Sequence, residues 1–313
     1  MREIIIVSIL IIAVILYLLI HIGNKIITVM HYTVRNNKIP DSFDGVKIVL
    51  LSDLHGYQFG KNQSRLIEKI KMVDPDYIMI SGDMLTADAM SGIKMKRMNS
   101  YLNLLKTLTD QYPVYYVPGN HEQKLEEHYK RNGNDYKEFI KKIERLGVCY
   151  LDNDTVSIAR GDSEVIIWGL KTELEYYTKV WNKKKLTVEH IDELIMEPDT
   201  DDFCILLAHN PEYIQSYVEW GAHLVLSGHL HGGIIRLPKI GGILAPTYEL
   251  FPKIDGGAFQ LGNEVEVTPC TAKMDRSCSG VMIVSKGLGT HTVNIRLGNP
   301  PELVVVNLKR ECK

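Results

Sequence analysis

The segment Leu226-Ser227-Gly228-His229-Leu230-His231-Gly232-Gly233 sets two imidazoles two positions apart, between glycines, where the apolar run from Ala222 to Leu226 ends. Side chains at i and i+2 of an extended segment share a face, and flanking glycine suits a backbone that must pass close to something else. Histidine is the commonest metal ligand, so the pair suits metal binding as well as an ordinary turn. Four other apolar runs end in the same manner. VKIVLLS runs into Asp53-Leu54-His55, DYIMIS into Gly82-Asp83, VYYVP into Gly119-Asn120-His121-Glu122, and CILLA into His209-Asn210-Pro211. Carboxylate, imidazole and amide oxygen without thiolate suit Mn, Fe, Zn or a mixture better than a structural zinc cage. More ligand positions are on offer than one ion needs, and two ions about 3.5 to 4 Å apart sharing a carboxylate would use them as a clamp for phosphoryl chemistry.

The elements before those endings must bring them together. Strands are expected at the five apolar runs and at SEVIIWGL, with helical periodicity in NQSRLIEKIKMV, near 96–108, near 136–146, and after Pro211. Such alternation implies a parallel or mixed sheet covered by helices, and in such sheets ligands bind at the carboxyl ends of strands. A short strand, then a turn rich in Asn, Pro, Asp and Gly, predicts a leading β-hairpin over 25–45, before one interwoven body over 46–313.

At 313 residues, 45% hydrophobic and 24% charged, the composition is that of a globular protein with a sizeable core. A net charge of −2 gives no basic field, so no specific nucleic-acid partner is expected. The five cysteines (149, 204, 270, 278 and 312) are scattered, without zinc-finger spacing. Cys204 reads as a core thiol, and a Cys270–Cys278 pair would need an oxidising compartment. The first residues differ in kind. Ile4 to Ile20 carries no charge, a run of about 26 Å as a helix. Ala13 is the only alanine before Ala87, so no A-x-A cleavage site follows, and a single-pass transmembrane anchor over 1–24 is expected. Lys25, Arg35 and Lys38 lean toward a cytoplasmic body, the basic start at Arg2 argues the opposite, and the side of the membrane stays open.

Asp53-x-His55, Gly82-Asp83, Gly119-Asn120-His121-Glu122, His209 and Gly228-His229-x-His231, in this order, resemble the calcineurin-like metallophosphoesterase superfamily from about Val46 to the end of the chain. The apolar start, DSFDGVKIVLLSDLHGYQFGKN, HGGIIRLP and VSKGLGTHTVNIRLGNPPELVVVNL are similar to its membrane-associated, YkuE-type branch. The resemblance implies an α/β (α+β) fold, a two-sheet β-sandwich flanked by helices with two divalent metal ions at one edge. It implies that Asp53, His55, Asp83 and His231 hold one ion, and Asp83, Asn120, His209 and His229 the other, with Asp83 bridging. It places His121 just outside the ligands, where with Asn120 it contacts the phosphate and protonates the leaving alkoxide after attack by a metal-held hydroxide. The implied activity is hydrolysis of phosphodiester, phosphomonoester or pyrophosphate bonds, and an anchor adds lipid-linked phosphates to nucleotides as substrates. A non-catalytic scaffold for protein binding would have lost ligands, whereas every position is filled here. A nuclease would want a basic groove with aromatic platforms.

KGLGTH lacks the full dinucleotide fingerprint and reads as a tight loop near the site, His291 being an exposed loop residue or a substrate contact. ELEYYTKVWNKKKL reads as a solvated helix with a charged face, or as a basic, aromatic lid over a phosphate or headgroups.

Overall fold

The computed structural model describes residues 2–86, 93–133, 136–199, 202–233, 235–237, 240–245, 247–261, 267–269, 280–290 and 295–311. Cys270, Cys278, His291 and Cys312 lie outside them. In chain order the elements are α1 (Arg2–Gly23), β1 (Thr28–Asn36), β2 (Lys47–Leu51), α2 (Ser64–Val73), β3 (Tyr77–Ile80), α3 (Ile93–Thr109), β4 (Val114–Tyr116), α4 (Asn120–Arg131), α5 (Tyr136–Glu144), β5 (Val148–Tyr150), β6 (Asp154–Arg160) and β7 (Ser163–Leu170). There follow α6 (Val188–Leu194), β8 (Cys204–Ala208), α7 (Ile214–Trp220), β9 (Leu224–Ser227), β10 (Arg236–Leu237), β11 (Gly241–Gly242), β12 (Gly257–Leu261), β13 (Val267–Pro269), β14 (Val281–Val284) and β15 (Glu302–Arg310).

The strands form two large sheets, one ordered β1-β15-β2-β3-β4-β5 and the other β13-β12-β14-β9-β8-β7-β6. Strand patterning explains why they stack. Ile48 and Leu50 of β2 face Ile205, Leu207, Leu224 and Leu226 of the second sheet, while Val49 and Leu51 face helices α2, α3 and α5. Leu206, Val225 and Met282 on the outer face of the second sheet pack on α6 and α7. A strand apolar on both faces is buried on both, as in the covered sheets of α/β proteins. The architecture is therefore helices, sheet, sheet, helices, with the sandwich core between the sheets.

The leading hairpin does not form. β1 runs parallel to β15, and β15 lies antiparallel to β2 between them. The run LVVVNL in β15 has both faces to bury, and insertion between two strands buries it.

The transmembrane span expected over 1–24 is not found among the described residues. α1 forms, about 33 Å long at helical rise, and its described side chains from Ile4 to Tyr17 are exposed and join no core cluster. Side chains at 12–13, 15–16 and 18–19 are not described, and among the described residues no helix is long and apolar enough to cross a membrane. What the structure gives is an exposed apolar helix.

Candidate metal centre

All the expected ligands follow strand ends at one edge of the sandwich. Asp53 and His55 follow β2, Asp83 follows β3, Asn120 and His121 open α4 after β4, His209 follows β8, and His229 and His231 follow β9. Two sheets contribute, not the single sheet that strand-helix alternation suggests. Asp53, His55, Asp83, His229 and His231 have φ of 52°, 48°, 54°, 71° and 54°. Left-handed backbone is uncommon outside glycine and persists where the surroundings enforce it.

The enforcing bonds are visible. Asp53 N–H donates to Gly82 O and His55 N–H to Asp83 O, each at 3.0 Å. His229 N–H donates to Asp53 Oδ2 at 3.0 Å, and Asn299 Nδ2 donates to His231 O at 2.6 Å. Gly228 answers the question posed by its sequence: a methyl there would collide with Ser52 Oγ and Asp53 Oδ2. The turn approaches the other sheet too closely for any side chain.

The side chains gather into two groups. Ligand atoms of Asp53, His55 and His231 lie within 4.8 Å of one another, as do those of Asp83, His209 and His229. In the first group His55 Nε2 lies 3.0 Å from His231 Nε2, and Asp53 Oδ1 is 3.3 Å from His231 Nε2. Buried Asp53 Oδ1 accepts no hydrogen bond, which leaves it for a cation. In the second group His209 Nε2 lies 3.1 Å from Asp83 Oδ2. His209 Nδ1–H donates to Ser81 O at 2.5 Å, and a ring so committed offers Nε2 as a lone pair. Asn120 joins this group: its amide end lies 3.1 Å from His229 Nδ1 and 3.2 Å from Asp83 Oδ2. With oxygen at that end the amide is a fourth donor to one cation, and with nitrogen there it bonds both neighbours while its oxygen accepts from Lys124 Nζ at 3.2 Å. The donor set of carboxylate, imidazole and amide oxygen fits divalent ions.

His121 differs from the other seven in being only partly buried. Its backbone N–H donates to Asp83 Oδ1 at 2.7 Å, its ring meets His55 edge-on at 4.7 Å, and it forms a third group with His55 and Asp83.

Burial dominates the electrostatics. It pushes Asp53 up to about 7 against the pull of His209. Burial would raise Asp83 too, but the His209 and His121 imidazoles outweigh it and hold Asp83 well below the carboxylate range. His209 goes up to about 9, because Asp83 overcomes the burial that would lower it. Burial lowers His121, with Asp83 opposing. These opposed shifts come from carboxylates and imidazoles buried against one another, and a cation bound there would displace protons from them.

Several functional residues escaped sequence reasoning. Glu122 is buried and accepts from the N–H groups of Asp83 (2.8 Å), Gly119 (2.9 Å), Met84 (2.9 Å) and Leu85 (3.3 Å). It braces the turn that carries Asp83. Lys124, one helical turn after Asn120, brings an ammonium to the site, and its i+4 spacing on α4 was the available signal. Tyr177 packs its ring against His229 (5.1 Å) and His209 (5.9 Å). The segment expected as a solvated helix is instead two short 3-10 turns, Leu174–Tyr177 and Val180–Asn182, which lets Tyr177 point inward while Trp181 stays exposed. The KGLGTH loop does lie near the site, with Leu288 N–H donating to Ser52 O at 3.1 Å and Gly289 N–H to Asp53 O at 2.6 Å.

Residues 46–233 match the family model for calcineurin-like phosphoesterases. The chain belongs to that family. Among relatives in Bacillus subtilis, the chain is similar to the uncharacterized metallophosphoesterase YkuE, with 25% identity over 294 residues covering 89% of this chain and 84% of that protein. It is also similar to the uncharacterized metallophosphoesterase YkoQ, with 27% identity covering 82% of each. A Danio rerio transmembrane protein with a metallophosphoesterase domain is 25% identical over 63% of this chain and 42% of that protein. Among solved structures, the chain is similar to a dimetal phosphatase from Danio rerio, over 78% of this chain and 88% of that one, with 11% identity and a TM-score of 0.41.

Proposed function

We propose that this metallophosphoesterase hydrolyses phosphodiester, phosphomonoester or pyrophosphate bonds with two divalent ions, and that it works at a membrane surface. The observation that carries the first part is the pair of ligand groups, Asp53/His55/His231 and Asp83/His209/His229, drawn from both sheets and meeting at one edge. Asp53, His55, Asp83 and His231 would hold one ion, and Asp83, Asn120, His209 and His229 the other. Bound ions would polarise the phosphoryl oxygens and make water at the site acidic enough to attack near neutral pH. The chain's own residues do the rest. Lys124 offers the phosphate a cationic partner, and Tyr177 shields His209 and His229 from solvent on one side. His121, partly buried and beside His55, is placed to hand a proton to the leaving oxygen.

The second part rests on α1. Ile4, Ile5, Ile6, Val7, Ile9, Leu10, Ile11 and Val14 are each more than half exposed on it, and an apolar helix without a protein partner is stable in lipid. The reading includes lipid-linked phosphates beside soluble nucleotides as substrates.

Full-length protein reconstituted with Mn, Fe(II) or Zn, assayed on p-nitrophenyl phosphate and bis-p-nitrophenyl phosphate, tests the activity. Hydrolysis that disappears on chelation and returns with metal supports it. No hydrolysis of either ester with any of the three metals would sink it.

A further inference from the structure

A second exposed apolar surface lies away from α1. Trp181, Leu250, Ile240, Phe251, Tyr248 and Leu237 are between 70% (Trp181) and 41% (Leu237) exposed. They are neighbours. The Trp181 ring stacks on Tyr248 with centroids 6.2 Å apart, and Lys179 Nζ sits over both rings at 5.3 and 4.8 Å. β10 and β11 pair antiparallel, Leu244 bridges Leu250, and Phe251 N–H donates to Ile243 O at 2.9 Å, so residues 236–237, 240–245 and 247–251 fold back as a ribbon with apolar side chains displayed along it. Behind Leu237, Ile240 and Phe251 is a cavity of about 570 Å³ that also holds Arg236, Lys253 and Lys286. Arg236 pairs with Asp255 at 2.7 Å and Lys286 with Glu302 at 2.6 Å. Asp255 and Glu302 each meet one of the three cations, which leaves the cavity one positive charge in excess.

The ribbon and α1 are joined through one segment. Thr28 N–H, just beyond α1, donates to Pro301 O at 2.8 Å, and Arg236 N–H donates to Leu297 O at 2.9 Å. Between them Arg296 Nη2 lies 3.4 Å from His231 Nδ1. The exit of the apolar helix, the exposed ribbon and the candidate metal site thus share residues 296–301. Aromatic rings with cations over them, next to aliphatic tips and a net basic cavity, match the chemistry of a headgroup layer above acyl chains. A water-facing surface has no use for six such side chains together.

We propose that Trp181 and the ribbon residues Leu237, Ile240, Tyr248, Leu250 and Phe251 form an interfacial docking surface that seats in an anionic bilayer and holds the metal-site edge against it, so that the substrate is a phosphoester carried on a lipid. This rests on the membrane reading of α1 and deepens it.

Trp181 supplies its own probe, because Trp168 and Trp220 are buried. Full-length protein is reconstituted into phosphatidylcholine–phosphatidylglycerol vesicles whose acyl chains are plain or brominated. Flotation reads the anchoring by α1, and tryptophan emission reads docking by the ribbon. Docking lowers the Trp181 contribution by about half in brominated vesicles, as for a ring at the acyl boundary. Trp181→Phe abolishes the response. Ile240→Asp with Phe251→Asp abolishes it too, and slows hydrolysis of a vesicle-borne lipid phosphoester by about tenfold, the scale on which losing buried apolar contacts weakens interfacial binding. Hydrolysis of soluble p-nitrophenyl ester by the same variant stays unchanged, which also shows that it is folded. Protein that floats while Trp181 is unquenched by bromine and open to aqueous iodide overturns the docking surface and leaves the anchor standing. Trp181 shielded from iodide but unquenched by bromine means that a second copy or another protein covers the patch, and overturns it as well. Failure to float, with no quenching, overturns anchor and surface together. Absence of esterase activity with quenching intact removes the catalytic reading alone.

Discussion

The backbone N–H of His229 donates to Asp53 Oδ2 at 3.0 Å, fastening the turn after β9 in the second sheet to the carboxylate after β2 in the first. Asp83 of the first sheet likewise faces His209 of the second at 3.1 Å. The candidate metal centre is therefore part of the seam of the sandwich, and whatever neutralises its carboxylates also holds the sheets together.

Metal removal should cost stability as well as activity. Ions at about 1,000 times their Kd stabilise the folded state by about 4 kcal/mol, or roughly 10 °C in melting temperature for a chain of this size. Scanning calorimetry of the metal-loaded protein with and without chelator checks it, and coincident melts would mean that no ion binds at the seam.

Asp83→Asn is expected to be the most damaging single ligand change, because one carboxylate between the two groups would serve both ions and offset their repulsion. It keeps the shape but removes the charge that faces His209. Metal analysis should find fewer than two tightly held ions per chain, with activity near background. Two retained ions and activity near wild type would take the bridging role from Asp83.

Glu122→Ala tests the brace. Four backbone N–H groups lose their acceptor in a buried turn, at about 1–3 kcal/mol for the worst satisfied of them. The expected outcome is a lower denaturation midpoint together with weaker metal binding, although Glu122 touches no ion. Unchanged metal affinity would make the brace purely structural.

What the sequence made legible follows from distance along the chain. Each ligand motif is local, a polar cluster directly after an apolar run, and all seven expected ligands reach one edge. The hairpin failed because the partner of β1 is β15, more than 260 residues later, with Thr28 opposite Glu302. α4 went unread because NHEQKLEEHYKR has only Leu125 and Tyr129 as apolar markers, too few for a helical stripe. Glu122 looked like part of a ligand motif, and only its four backbone partners reveal a brace. Tyr177 sat in a segment open to reading as an aromatic lid, but nothing local distinguishes a tyrosine that turns inward from Trp181 that turns out.

Deleting residues 1–22 should leave a folded body with unchanged metal content. The described side chains from Ile4 to Tyr17 join no core cluster, whereas Asn24 is buried and Lys25 O accepts from Arg65 Nη2 at 3.0 Å, so the cut belongs before Gly23. Loss of cooperative melting in the truncated protein would show that the helix supports the body.

His121→Ala separates catalysis from metal assembly. Among the eight residues His121 alone is not fully buried, and its backbone N–H bond to Asp83 is one that alanine retains. Both ions should therefore stay bound. If the imidazole gives its proton to the leaving oxygen, hydrolysis of alkyl phosphoesters should fall about 10²- to 10⁴-fold. The p-nitrophenyl ester, whose leaving group departs without a proton, should lose far less. The pair of substrates reads the role directly. Equal losses on both would assign His121 to holding the phosphate, and loss of metal would assign it to the group it forms with His55 and Asp83. Either result removes the proton donor from this mechanism.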